Sequence, residues 1–350
     1  MKKLFLIFSY LCALNALSQE CNIVELIRST GIDKYSDITY LSMKKHPELD
    51  DVKNYFFNTK DCKCFEGGSY FVGLKDMGAK NLIVNLQGGG ACWSGFFECK
   101  EDVDIEEFES VEKDLHKPNT VLSWNTTFIP YCDGSNYMGD NTVDYDENGI
   151  TDHSHWGIRH LSAGLNLAKS ELEEPDKILI TGCSAGGYGT FPAMLLARLK
   201  FPNARIYVLN ESGPGMTDAN KNGIWDLVRE NWGMDEWLPS QFDEGQNSLL
   251  PLYSWMLGHD PLIKVAVFSS YHDAVLANEF LGITGTEFKN RLLKDSEIIQ
   301  QEFPDRFKRF FIKEDSHCVE DYFYEIDGIS YAEWVRHFVN DDTDWIDIME

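Results

Sequence analysis

Gly182-Cys183-Ser184-Ala185-Gly186-Gly187 closes the apolar run Lys177-Ile-Leu-Ile-Thr181 and opens a helix-like stretch over residues 188–199. A G-x-S-x-G segment between a strand and a helix reads as a nucleophile elbow. The serine sits on a sharp, strained turn, and a side chain two positions away on either side would clash. Ser184 is therefore the expected nucleophile. The plainer reading is an ordinary glycine-rich turn, because short motifs of this kind recur by chance. What separates the two is whether the rest of the chain supplies the partners a serine nucleophile needs.

Working outward from the elbow, strand-like apolar runs recur at 69–74, 81–86, 126–130, 177–182, 205–209, 264–268 and 309–312, after a polar region over roughly 21–64. Helix-like segments with apolar residues at three-to-four spacing fall at 155–172, 187–200, 273–280, 287–301 and 329–339. Strands alternating with helices predict an α/β fold, a mostly parallel sheet with helices on both faces. In such sheets functional groups gather in loops beyond the carboxyl ends of the strands.

A serine hydroxyl is a weak nucleophile near neutral pH and needs a histidine, itself oriented by a carboxylate. On an α/β-hydrolase these follow in the order Ser, acid, His. Asp273 comes just after the run ending Phe268-Ser-Ser270, and His317 just after the run ending Ile312. His46, His153, His155 and His160 precede Ser184, His259 precedes the acid, and His337 lies in a helix-like run. Asp260 and Asp315 are reserve acids. The competing readings are a helix N-cap for Asp273 and a surface-loop histidine for His317.

A developing oxyanion needs preorganised backbone donors. Residues 81–86 run straight into Gln87-Gly-Gly-Gly-Ala-Cys-Trp93, whose glycines let the main chain approach an ester. The expected donors are the amides of Gly89, Gly90 and Ala185. A phosphate-cradling loop is disfavoured, since no Gly-Lys-Ser/Thr follows.

Cys183 immediately precedes Ser184, and Cys318 immediately follows His317. If serine and histidine meet, a Cys183–Cys318 disulfide would staple their loops together. The arrangement resembles the Cys-Ser, Asp, His-Cys pattern of tannases and feruloyl esterases, and the alternative is a buried free Cys183. Cys92 and Cys99 are placed to close a small loop, Cys64 to reach Cys132, and Cys21 pairs with Cys62 by elimination alone. Spacing by itself leaves the connectivity open.

Taken together, Gln87-Gly-Gly-Gly-Ala-Cys-Trp93, Trp124-Asn-Thr-Thr-Phe-Ile-Pro-Tyr-Cys132, Gly182-Cys-Ser-Ala-Gly-Gly187 and Glu211-Ser-Gly213 resemble the pectin acetylesterase and Notum carboxylesterase family. The likeness runs from about Cys64 to Cys318. It implies an α/β-hydrolase fold, carboxylic ester hydrolysis, roles for Ser184, Asp273 and His317, and disulfides Cys64–Cys132 and Cys92–Cys99. Glu211 stands where many members have Asp.

Two acidic segments, 144–152 and 218–226, both read D-x-[DN]-x-[DN]-G-x-x-D. Oxygen ligands from Asp144, Asp146, Asn148 and Asp152 would suit a structural calcium, although His155 and Arg229 stand where an EF-hand has its glutamate. The competing reading is an acidic turn. No cofactor is required by the expected chemistry, and His153 with His155 lacks the further ligands a zinc site needs.

Lys2-Lys3, the apolar stretch 4–14 and Ala16-Leu17-Ser18 read as a secretory signal cleaved after Ser18. That leaves 19–350 as a single domain with inserted loops, the simplest division in a sequence without repeats or Pro-rich linkers. Removing Cys12, Lys2 and Lys3 from nine cysteines and a formal charge of −26 leaves eight cysteines and −28. An even count in an exported chain favours disulfides. The acidic balance argues against nucleic acid, anionic lipid and polyanionic partners, and no later stretch is apolar enough to span a bilayer. The expectation is a secreted, monomeric serine carboxylesterase acting on an O-acetylated polysaccharide. The alternatives are a longer or phenolic acyl ester, an amide substrate, or a catalytically silent binding protein on the same fold.

Overall fold

The computed structural model describes residues 23–103, 123–217, 224–238, 248–319 and 322–350. The expected leader 1–18, Cys21 of the Cys21–Cys62 pair, and residues 218–223 of the second acidic segment lie outside the described residues.

Each of the seven apolar runs forms a strand of one ten-stranded sheet. In chain order the strands are β1 (Tyr40–Lys45), β2 (Val52–Phe57), β3 (Phe71–Lys75), β4 (Asn81–Leu86), β5 (Asn125–Ile129), β6 (Lys177–Cys183), β7 (Arg205–Glu211), β8 (Ile263–Ser270), β9 (Phe307–Ile312) and β10 (Ile348–Met349). Across the sheet they lie β1-β2-β3-β5-β4-β6-β7-β8-β9-β10. From β5 to β10 every neighbouring pair is parallel, while β1, β2 and β3 join antiparallel at one edge.

Side chains along the central strands alternate between two cores, as the two-residue pleat requires. Ile178, Ile180, Ile206, Val208, Val265 and Val267 face one core. There they pack with α2 (Gly157–Glu171), α3 (Ala185–Lys200), α5 (Leu250–His259) and α6 (Gly285–Glu302), which follow α1 (Ile23–Arg28) in the chain. Leu179, Tyr207, Leu209, Ala266 and Phe268 face the other, covered by Tyr331, Trp334 and Phe338 of α7 (Tyr331–Asn340). Helices therefore cover both faces of a mostly parallel sheet. Among the described residues no helix is long and apolar enough to cross a membrane.

The sequence reading needs two corrections. The region read as polar, roughly 21–64, contains two strands that no apolar run announced, β1 and β2. β1 is exposed at all six positions and closes the edge of the sheet, so it carries no alternation of apolar and polar residues to betray it. Lys44 and Lys45 suit an edge that must not recruit another strand. The second acidic segment, 218–226, ends inside the helix α4 (Ile224–Trp232), and Asp226 lies in its first turn. An acidic side chain there is favoured by the helix dipole.

Candidate active site

Every side chain singled out for chemistry follows the carboxyl end of a strand. Ser184 follows β6, Gln87–Gly90 follow β4, Asp273 follows β8 and His317 follows β9. Ser184 has φ 58° and ψ −122°, backbone that a residue with a side chain adopts only when its surroundings dictate it. Several contacts fix it. The Ser184 amide donates to the Glu211 carbonyl (3.1 Å), and the Ser184 carbonyl accepts from the Tyr188 amide (3.0 Å). The glycines make the turn possible. A Cβ at Gly182 would lie 2.5 Å, and one at Gly186 2.1 Å, from the Leu86 carbonyl oxygen on the adjacent strand. Buried Asn210 ties the elbow to the next turn, donating to the Gly187 and Gly213 carbonyls (2.8 Å each) and accepting from the Gly213 amide (3.0 Å).

The acid and histidine loops run side by side. Tyr271, His272 and Ala274 donate backbone bonds to the carbonyls of Ile312, Glu314 and Asp315 at 2.8, 3.0 and 2.9 Å. This pairing continues the β8–β9 register past the sheet edge and carries Asp273 to His317. His317 Nδ1 donates to Asp273 Oδ2 at 2.8 Å. Asp273 is fully buried, and its Oδ1 accepts from the Leu276 amide at 2.9 Å, at the start of the π-helical turn Val275–Phe280. One Asp273 oxygen thus accepts from a helical-turn amide and the other from the imidazole. With the proton on Nδ1, Nε2 is left as the basic atom. Nε2 is buried and has no hydrogen-bond partner among the described residues.

Cys183 and Cys318 are joined in a disulfide with a Cα–Cα distance of 5.8 Å, so the residues flanking Ser184 and His317 are covalently tied. Cys318 has φ 68°, and its amide donates to Ser212 Oγ (3.1 Å). Disulfides Cys64–Cys132 and Cys92–Cys99 are also present. Asp260 is drawn into a buried ion pair with Arg198 (2.7 Å), and Asp315 is exposed. Neither reserve acid approaches the histidine as Asp273 does.

The glycine loop lies against the elbow. A Cβ on Gly88 would sit 2.9 Å from the Cys183 carbonyl oxygen and 3.4 Å from Ser184 Cβ. Gly90, at φ 76°, starts a ribbon in which Gly90–Trp93 pairs with Phe96–Cys99. Its carbonyl accepts from the Tyr131 hydroxyl (2.8 Å), and Tyr131 accepts from the Asn136 amide (3.0 Å). Of the three amides assigned to an oxyanion, those of Gly90 and Ala185 belong to residues bordering the same cavity as Ser184. Gly89 is not among its described lining residues, and a Cβ there would lie 2.6 Å from Tyr131 Cδ1. Ala185 opens the sixteen-residue α3, whose first-turn amides have no partner within the helix and whose dipole favours negative charge.

That cavity has a volume of ≈ 90 Å³. Beside Ser184 its wall is built by Trp93, Tyr188, Trp225, Val228, Trp232 and Phe280, with no acidic or basic side chain among the described lining residues. The Tyr188 hydroxyl donates to the Met216 carbonyl (2.7 Å), and burial raises its pKa, so it stays a neutral donor. Sequence reading missed this wall. Its signal was the spacing of Trp225, Val228 and Trp232, which places all three on one face of a helix.

The calcium candidates Asp144, Asp146 and Asn148 hydrogen-bond within their own loop. Asp144 accepts from the amides of Asn148 (3.2 Å) and Gly149 (2.7 Å), and Asp146 from the amide and side chain of Asn148. Asn148 accepts from Ile150, and Asp152 pairs with His153. These are the bonds of an acidic turn. Among the described residues the one group of three His, Cys, Asp or Glu ligand atoms within 4.8 Å of one another is Cys183, His317 and Cys318. Two of these are spent on the disulfide. His155 binds the Asp133 carbonyl and the Tyr145 hydroxyl, and burial lowers its pKa to about 3.

A mostly parallel sheet with a strained serine between β6 and α3, glycine-loop amides beside it and an Asp-oriented histidine three strands further on defines an α/β-hydrolase. The sequence pattern of the Pectinacetylesterase family matches residues 47–227, just over half of the chain. This protein belongs to the pectinacetylesterase family. The matched stretch contains the glycine loop and the elbow, whereas Asp273 and His317 lie beyond its end. No match was found among curated proteins.

Proposed function

We propose that this protein is a secreted serine carboxylesterase that hydrolyses acyl esters through an acyl-enzyme intermediate. Ser184 Oγ attacks the ester carbonyl as its proton passes to His317 Nε2. The amides of Gly90 and Ala185, with Gly89 behind them, hold the oxygen that becomes negative. Collapse breaks the bond to the leaving alcohol, which takes the proton from His317. Water then attacks the acyl-enzyme with His317 again as base, releasing the carboxylic acid and restoring the Ser184 hydroxyl. Asp273 keeps the proton on Nδ1 and stabilises the imidazolium that forms in each half-reaction.

The observation that carries this reading is the 2.8 Å bond from His317 Nδ1 to a fully buried carboxylate, on a loop tied by a disulfide to the strained serine. Family membership supports an O-acylated carbohydrate as substrate, acetyl being the group in the family's name. Three disulfides accord with an oxidising compartment. The test is hydrolysis of p-nitrophenyl acetate and hexanoate by the wild type and by Ser184→Ala. Loss of at least 1000-fold in the variant is expected; equal rates would sink the mechanism.

A further inference from the structure

We propose that Ser212 is a positioning residue, a non-covalent tie that sets the distance between Ser184 and His317. The proposal rests on the serine-esterase reading and adds to it a residue that touches neither the substrate nor the reacting atoms.

Of the eight non-glycine residues with positive φ among the described residues, three meet here: Ser184 (58°), Ser212 (47°) and Cys318 (68°). Such backbone costs free energy and persists only where the surroundings over-determine it. Ser212 is fully buried in the turn that follows β7. The peptide unit joining Glu211 to Ser212 is used on both sides. Its carbonyl accepts from the Ser184 amide (3.1 Å), and its N–H donates to the Phe268 carbonyl of β8 (3.0 Å). Because that unit is planar, it holds Ser212 Cα at a fixed place relative to the nucleophile.

From there the side chain reaches the histidine loop. Ser212 Oγ accepts from the Cys318 amide (3.1 Å), and that amide shares a planar peptide unit with His317 Cα. Ser184 and His317 are thus joined through two hydrogen bonds and a short covalent path whose soft torsions are φ and χ1 of Ser212. An ordinary φ near −65° differs from the 47° of Ser212 by roughly 110°, and a rotation of that size about N–Cα would swing Oγ away from Cys318. The strain therefore aims the hydroxyl. Glycine would carry this φ without strain, but it has no oxygen to offer.

The residues flanking His317 are held from other strands as well. Ser316 Oγ lies 3.0 Å from Ser270 Oγ at the end of β8, and Cys318 is bonded to Cys183 at the end of β6. Ser212 supplies the tie to β7, the strand between them in the sheet.

The test compares p-nitrophenyl acetate kinetics and thermal melts of the full chain with those of Ser184→Ala, Ser212→Gly, Ser212→Ala and Ser212→Cys. Loss of one neutral hydrogen bond shifts the positioned fraction by up to about tenfold. kcat should therefore fall about tenfold in Ser212→Gly and Ser212→Ala alike, with KM unchanged, and Ser212→Cys, a weaker acceptor of similar shape, should fall in between. Melting temperature should separate the first two: glycine relieves the strain and stays near the wild type, whereas alanine keeps it and melts lower. Labelling of Ser184 by p-nitrophenyl hexylphosphonate should slow in parallel with kcat. In a Cys183→Ser/Cys318→Ser background, which retains the amide at 318, Ser212→Gly should cost more than it does in the wild type. If Ser212→Gly keeps wild-type kcat, or if the loss of kcat follows melting temperature instead of Oγ, the positioning role fails, and an inactive Ser184→Ala leaves the esterase reading standing. If Ser184→Ala is as active as the wild type, the esterase reading fails and the positioning role with it.

Discussion

Replacing both Cys183 and Cys318 by serine separates the contribution of the cross-link from that of the triad residues themselves. The disulfide closes a loop of 135 residues and bridges β6 to β9 across β7 and β8. The chain-entropy relation gives about 5 kcal/mol for a loop of that length, an upper value because relaxation of the reduced chain reduces it. The His317–Asp273 bond and the backbone pairs between 271–274 and 312–315 survive the substitution, since none of them involves a cysteine. What is lost is the covalent link holding that pair against Ser184. A displacement of about 1 Å between nucleophile and base costs on the order of 100-fold in rate. Urea denaturation should show a fall of several kcal/mol, and p-nitrophenyl hexanoate hydrolysis should show a drop in kcat of about 100-fold with KM little changed. Cys64→Ser with Cys132→Ser, which opens a loop of 68 residues, should cost about 4 kcal/mol by the same relation, with a smaller loss in kcat. A folded Cys183→Ser/Cys318→Ser variant with wild-type kcat would refute the claim that the bridge sets Ser–His geometry.

Gly90→Ala would place a Cβ 1.8 Å from the Glu98 carbonyl oxygen at φ 76°, forcing the ribbon to shift. Loss of one oxyanion donor should lower kcat by about 100- to 1000-fold, measured on protein whose circular dichroism is unchanged. Arg198→Ala leaves Asp260 buried without its partner and should destabilise the fold by about 3–5 kcal/mol in thermal melts. Asp260→Asn should also destabilise, yet at a temperature where it is folded it should keep wild-type kcat/KM, because Asp260 is paired with Arg198 and not with His317. Burial raises the Asp133 pKa from 3.8 to about 6. Its stabilising contribution is therefore full below about pH 4 and is lost as pH rises through 6. The stability of the wild type minus that of Asp133→Asn should fall by about 3 kcal/mol between pH 4 and 7, and a rise would reverse the sign of the argument.

The parallel half of the sheet was legible because strands buried on both faces read as unbroken apolar runs, as in Lys177-Ile-Leu-Ile-Thr181 and Lys264-Val-Ala-Val-Phe268. The loops beyond them followed, because topology puts the carboxyl ends of neighbouring strands together. Asp273 and His317 needed only their place after β8 and β9. β1 was not legible, since Tyr-Leu-Ser-Met-Lys-Lys is exposed along its whole length and is held by backbone pairing to β2. The cavity wall beside Ser184 was hidden for a different reason. Trp225, Val228 and Trp232 lie more than forty residues after Ser184, and helical spacing tells which face is apolar but not what it faces. Trp232 meets Cys92 only through tertiary packing. Asn210, inside the β7 strand, likewise gave no sign that its amide would knit the elbow to Gly213.

Everything proposed for this site depends on activation of Ser184 as a nucleophile by His317. It is tested most directly by treating the full chain with p-nitrophenyl hexylphosphonate, then weighing the peptides after reduction and trypsin cleavage. One adduct per chain on Ser184, formed with release of one p-nitrophenol, is expected, with labelling slowed by at least 100-fold in His317→Ala. No adduct, or an adduct on any other residue, would contradict it.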